Sequence, residues 1–331
     1  MDVDRIINRF PHVARQIFGY LSDMELRQCQ RVSWTWYEGV EDILWKRLTI
    51  RYRETPLVPG RTHLHLAAEA RLVGRFARLI AAESSEEDKN PVDERDCTPL
   101  HVAASNGCRE IVDMIVASVS DRRPRDSWQR TPLHWAARFG HTQIVESLLA
   151  VVAEKNLEDR NGSTPLHLAA AGGYGEMVDM IVASGSDPCP RDSWRWTPLH
   201  WAAQFGHTQI VEGLLAVVAE KSPQEESGLT PLHVAAMHDQ GEIVDTIVRL
   251  GYDLCPMDEI CATPLHYAAH GGHTQIVESL LAVVAEKNPE DGFGHIRCDN
   301  LDLELALSAI ISENGTDGRC KVHFLIVSPK C

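Results

Sequence analysis

Histidine has the widest chemical reach of any residue in this chain, and sixteen of them are spread over 331 positions. An imidazole can ligate a metal or exchange protons near neutral pH, so clustered histidines would suggest either activity. Their spacing argues for something else. His65, His101, His134, His167, His200, His233 and His266 each close a four-residue word, Thr-His-Leu-His at Thr62 and Thr-Pro-Leu-His thereafter. The word opens at Thr98, Thr131, Thr164, Thr197, Thr230 and Thr263, every 33 residues, and Thr62 precedes Thr98 by 36. His141, His207 and His273 share a second periodic slot. One histidine per period at a fixed place reads as a hydrogen-bonded tie between loops or adjacent units. No nucleophile elbow, phosphate loop or zinc-protease word accompanies it. Neither catalysis, a metal nor a cofactor is expected.

The elements that hold these histidines follow from the same period. Thr131 can cap a helix with its hydroxyl, and Pro132 then sits where a missing N–H costs nothing. Leu133, Ala136 and Ala137 share one helix face, and the two alanines let a neighbouring helix come close. Gly140 is a left-handed stop, as are Gly107, Gly173, Gly206 and Gly272 at the equivalent places. A second helix from about His141–Thr142 buries Ile144, Val145, Leu148, Leu149 and Val152. Each unit is therefore helix, turn, helix and a returning loop.

A longer rhythm lies under the short one. The units opening at Thr131, Thr197 and Thr263 share Gly-His-Thr-Gln-Ile-Val-Glu and Leu-Leu-Ala-Val-Val-Ala-Glu-Lys. Those at Thr98, Thr164 and Thr230 carry Ile/Met-Val-Asp-x-Ile-Val, so the duplicated block is 66 residues long. In period and in the words Thr-Pro-Leu-His-x-Ala-Ala, residues 62–291 resemble ankyrin repeats, about seven of them. The resemblance implies an all-α solenoid of helix-turn-helix units with projecting loops, a fold that binds proteins along its exposed face.

The first sixty residues contain no copy of the repeat. Ser22 with Glu25 forms a capping-box pattern that starts a helix at Asp23, another helix ends near Leu21, and a third is expected from about Val32 to Val40. Ile17, Phe18, Leu21, Leu26, Cys29, Val32, Trp36, Leu44 and Trp45 are more apolar side chains than so short a segment can bury alone. Phe10-Pro11, Ile17-Phe18-x-Tyr20-Leu21, Leu26-x-x-Cys29-x-x-Val32-Ser33-x-x-Trp36 and Leu44-Trp45-Lys46 resemble an F-box. One residue fewer than usual separates Pro11 from Ile17, and the acid common after the proline is absent. The resemblance implies a small helical domain over 8–54 that docks onto the Skp-type adaptor of a cullin-RING ubiquitin ligase. Pro11, Ile17, Leu21, Leu26, Val32 and Trp36 would make that contact. The residues alone leave a second reading open, in which this segment merely caps a ligase-independent scaffold.

Residues 55–61 then form a linker, and 292–331 a degenerate last repeat or cap with a tail. In that tail, Leu301–Ile311 could make a covering helix and Val322–Val327 a short strand. Net charge is −15, but residues 1–61 carry +2, which leaves −17 on the rest. So acidic a repeat region disfavours phosphate backbones, and nucleic acid is not an expected partner. No apolar run has membrane-spanning length, the start has no signal-peptide core, and nine cysteines lack any Cys-x-x-Cys pair. They read as reduced thiols in the cytoplasm or nucleus.

The candidate target-binding residues lie in the loops and at the helix ends. Arg122, Arg123, Arg125 and Trp128 precede Thr131, while Arg191, Trp194 and Arg195 precede Thr197. Tryptophan and arginine dominate binding hot spots, so these fingers suggest a surface for an acidic protein partner. Phe139 and Phe205, just before stop glycines, complete the set. Trp135, Trp201 and Tyr267, two residues beyond the leucine of the word, are expected in the core. The loops 156–162 and 222–228 are expected to be solvated.

Overall fold

A computed structural model describes Ser22 and residues 34–54, 60–253 and 255–287, with backbone only at 34–39, 51–54, 86, 87 and 283–287. Among these residues every regular element is a helix. The chain falls into two compact units, 1–160 and 161–331.

In the first unit, α1 (Trp34–Glu54) precedes three hairpins: α2 (His63–Glu69) with α3 (Val73–Ala82), then, after the short α4 (Glu86–Lys89), α5 (Pro99–Asn106) with α6 (Arg109–Ser118), and α7 (Pro132–Arg138) with α8 (Thr142–Val151). The second unit holds four hairpins: α9 (Pro165–Gly172) with α10 (Gly175–Ala183), α11 (Pro198–Gln204) with α12 (Thr208–Val217), α13 (Pro231–Met237) with α14 (Gly241–Arg249), and α15 (Pro264–Gly271) with α16 (Thr274–Lys287). Within each unit, first helices pack on first helices and second on second. The core is the row of leucines, alanine pairs and second-helix aliphatics; Leu100, Ala136, Ile144, Leu148, Leu166, Leu199 and Ala202 are almost wholly buried.

The repeated word works as a clamp. Thr197 is extended (φ −105°), Pro198 opens the helix, and His200 reaches back so that its Nδ1 accepts the Thr197 N–H at 3.1 Å. The cap is thus a threonine–histidine box, rather than the threonine hydroxyl alone. Because Nδ1 accepts, the ring proton sits on Nε2, which donates to the Leu229 carbonyl 29 residues on at 3.1 Å. His65 to Cys97, His101 to Arg130, His167 to Trp196 and His233 to Ala262 repeat the bond at 2.8–3.1 Å. The expected tie between repeats is present in these five: each ring joins its own helix start to the loop before the next repeat.

A second histidine explains a stop glycine. Gly107 has φ +72°, and a Cβ there would lie 2.6 Å from the His141 ring. That ring is close because its Nε2 bonds the Ser105 carbonyl at 2.9 Å. Left-handed backbone and lack of space both require glycine.

Helix α1 departs from expectation. It does not end near Val40 but runs on to Glu54, since no proline or glycine interrupts residues 40–54. Val40, Leu44 and Trp45 are buried, with the Arg75 guanidinium 4.9 Å over the Trp45 ring and His63 edge-on at 5.4 Å. Glu41, also buried, pairs with Arg78 at 3.3 Å beside the start of α3. Burial raises its carboxyl above the usual range, against the opposing pull of the backbone at Arg75 and Gly74 and of the Arg78 charge. The lower half of α1 therefore belongs to the body of the first hairpin. Pro11, Ile17, Leu21, Leu26, Val32, the tail helix and the tail strand lie outside the described residues, and Trp36 is described in its backbone only.

Candidate protein-interaction surface

Each finger is built on a buried acid five residues before the threonine. In the first unit Asp126 Oδ1 accepts the N–H groups of Trp128 and Arg130 at 2.9 and 2.8 Å, while its own N–H donates to the Arg130 carbonyl at 3.0 Å. The tight turn puts Gln129 at φ +61° and turns Trp128 outward, 54% exposed. Asp126 Oδ2 accepts the Trp135 indole N–H at 2.9 Å. One carboxylate thus shapes the tip and fixes a ring on the adjoining helix.

The second unit repeats the construction. Asp192 accepts from Trp194 and Trp196 at 3.0 and 2.8 Å and from the Trp201 indole at 3.1 Å. Trp194 is 49% exposed, and Arg195 beside it is exposed at φ +60°. Asp93, Glu225 and Asp258 hold their loops in the same way. Sequence reasoning missed this acid, although it recurs with the 33-residue period. It also corrects the reading of 156–162 and 222–228 as solvated, since Asp159 and Glu225 inside them are buried.

Trp135, Trp201 and Tyr267 are half-buried, not core. Their polar atoms need the finger carboxylate; Tyr267 Oη donates to Asp258 at 2.7 Å, and burial together with that bond holds its hydroxyl protonated. The rings are therefore drawn to the helix edge rather than into the stack. Phe139 stacks on Trp135 with centroids 5.9 Å apart, and Phe205 on Trp201 at 6.2 Å. Both phenylalanines face solvent, 46% and 51% exposed. Beyond the stacked pair the units differ. In the first, the Arg130 guanidinium lies 5.7 Å from Trp135 and pairs with Asp159; in the second, Trp196 takes that place, 5.1 Å from Trp201.

The other candidate arginines are held within the fold. Arg122 Nε donates to the Val116 carbonyl, Arg123 pairs with Glu154 at 3.2 Å, and Arg125 donates to the Gln129 and Glu158 carbonyls. Arg191 bonds Glu220 and the Gln224 carbonyl. Of the candidate set, the four aromatic rings, Arg123, Arg125 and Arg195 are exposed, with Arg123 and Arg125 also bonded within the fold. Ile260, 76% exposed at the tip 66 residues after Trp194, was missed; the 66-residue rhythm would have found it.

No group of histidine, cysteine and acid positioned for a metal occurs among the described residues, and none of their helices is long and apolar enough to cross a membrane. Burial pushes the Cys97 thiol up to about 12 and raises those of Cys108 and Cys189, which keeps them protonated and poorly nucleophilic.

Family models fit this arrangement. Ankyrin-repeat models match 118–192 and 181–258 in three-copy form and 95–126 and 262–291 as single repeats, and an F-box-like model matches 11–51. This is an ankyrin-repeat protein with an F-box-like N-terminal segment. Comparison with curated proteins finds no match. The first hairpin of the ankyrin array, α2–α3, lies outside the matched ranges yet carries the same Thr62–His65 box. Ankyrin repeats and F-box segments are non-catalytic interaction modules; in general the former bind target proteins and the latter Skp-type adaptors.

Proposed function

We propose that this ankyrin-repeat protein is the target-recognition subunit of a cullin-RING ubiquitin ligase of the Skp-cullin-F-box type. Residues 8–54 recruit the Skp-type adaptor through Pro11, Ile17, Leu21, Leu26, Val32 and Trp36; 55–61 connect them to the array at 62–291, and 292–331 form a degenerate last repeat or cap with a tail. The array holds the target through its outward rings, Trp128 with Phe139 and Trp194 with Phe205, aided by Arg195. Arg122, Arg123, Arg125 and Arg191 support the finger shape and add positive potential for an acidic target. The chain performs no bond chemistry itself; holding a target beside the ubiquitin carrier raises the effective concentration of its lysines. It works in the cytoplasm or nucleus without a cofactor.

The observation that carries this reading is the junction of an F-box-like match at 11–51 to a repeat array with exposed aromatic rings. One observation favours a scaffold without a ligase role: Val40, Leu44 and Trp45 cover the first hairpin, as a cap would. Capture of purified Skp-type adaptor separates the two. Leu26→Ala with Trp36→Ala should reduce capture by about tenfold or more, since buried apolar anchors carry most interface energy. Capture that is absent in the unaltered chain, or indifferent to the pair, leaves the scaffold.

A further inference from the structure

The chain uses its two permanent cations unequally, with seven lysines among its 32 Lys and Arg. Inside the array lysine occurs at Lys89, Lys155, Lys221 and Lys287, one every 66 residues, and nowhere else. That slot ends the short α4 in the first of these repeats, lies four residues beyond α8 and α12 in the next two, and ends α16 in the last. Lys89, Lys155 and Lys221 are half-buried, and the Lys221 ammonium donates to the Leu215 carbonyl in the last turn of α12. Lys155 is likewise engaged. Every exposed permanent cation described between residues 60 and 282 is an arginine, among them Arg95, Arg138, Arg160 and Arg195.

Arginine keeps the charge and the hydrogen bonds, but lysine alone supplies an acceptor for ubiquitin. In that transfer a deprotonated ε-amine adds to the carbonyl carbon of the carrier's ubiquitin thioester. The C–N bond forms, the C–S bond breaks, the carrier thiolate leaves with the electron pair, and the amine's proton passes to solvent. A receptor docked in a ligase stands as near the carrier as its target does, so its own exposed amines would compete at similar effective concentration. We infer that the ankyrin array presents an acceptor-free face, so that ubiquitin passes to the bound target and the receptor is spared. This rests on the ligase reading.

Two measurements on the full chain test it. In the first, a small amine-reactive acyl ester is applied and the modified lysines are read by mass spectrometry. Lys155 and Lys221 should react about tenfold more slowly than exposed Lys46; equal rates overturn the inference whatever the adaptor does. In the second, the chain is reconstituted with adaptor, cullin, RING subunit, carrier and ubiquitin. Residues 60–282 should stay essentially unmodified, whereas Arg95→Lys, Arg138→Lys and Arg160→Lys, with adaptor capture unchanged, should gain ubiquitin at the new sites. If adaptor is captured but the unaltered array is modified as heavily as the triple variant, the inference alone falls. If no adaptor is captured, the ligase reading falls and takes the inference with it.

Discussion

His200 and Trp201 are adjacent in the chain and answer to opposite demands. His200 is completely buried and bonded at both nitrogens, and a histidine fills its slot in all seven hairpins. Trp201 is half-buried, and its slot holds Leu66, Val102, Trp135, Leu168, Val234 and Tyr267 in the other repeats. Within a third of a helical turn the chain passes from what holds the stack together to what it shows outside. The uniform slot closes two backbone bonds that every repeat must close. The variable slot varies because the stack tolerates any ring or aliphatic there, which leaves it free for recognition.

The sharpest way to break that comparison is His200→Ala. It strips the buried Thr197 N–H of its acceptor and the half-buried Leu229 carbonyl of its donor, and leaves a cavity. The expected loss is roughly 2–4 kcal/mol in urea unfolding of the full chain. Trp201→Leu, which keeps an aliphatic that other repeats carry, should cost about 1 kcal/mol. Equal losses would mean that the two slots do not divide the work.

Acid provides a gentler version of the same change. Burial holds the His200 imidazole down at about 4, from an ordinary 6.5, and lowers His65, His101 and His233 as well. Unfolded histidines take up protons near 6.5 while His200 resists until about 4. Between these values the unfolded chain holds more protons, so stability present above pH 6.5 is lost as pH falls towards 4. His200 alone contributes on the order of 3 kcal/mol of this. Melting temperature followed from pH 7 to 4 should therefore drop steeply, and His200→Gln should flatten the drop even though it lowers the starting value. A profile unchanged by that substitution would show that the ring is not the group being titrated.

Most of the fold was legible because the repeat is a local device. Thr, Pro, Leu, His and the alanine pair each have one physical job, and the 33-residue period gives it repeatedly. The slots that were misread are those where a side chain serves two masters. Trp135 and Trp201 look apolar in a helix-face count, but an indole N–H needs a partner, and the partner stood in the loop. That partner was overlooked because Asp126 and Asp192 read as ordinary polar loop residues until the carboxylate is seen accepting three N–H groups. The finger arginines were legible as residues but not as bonds, since Glu154 and Glu220 lie about thirty positions away. Helix α1 was cut short because its lower half is explained by contact with α3, which no local pattern announces.

The mildest change for stability should be the most telling for recognition. Phe205→Ala removes a ring that is 51% exposed and stacked on one face only, and Trp194→Ala removes a tip that is 49% exposed. Each should move the unfolding midpoint by no more than about 1 kcal/mol, because little buried area is lost. Asp192, which sets the finger backbone, is untouched, so the loop keeps its shape while losing its surface. If the outward rings are anchors, a protein that co-purifies with the intact chain should be retained about tenfold or more weakly by either variant. If retention is unchanged while Arg195→Glu abolishes it, the surface reads charge, and the stacked rings serve only to stiffen the finger. That outcome would move the aromatic slot to the side of the histidine slot and leave the arginine as the group that faces the partner.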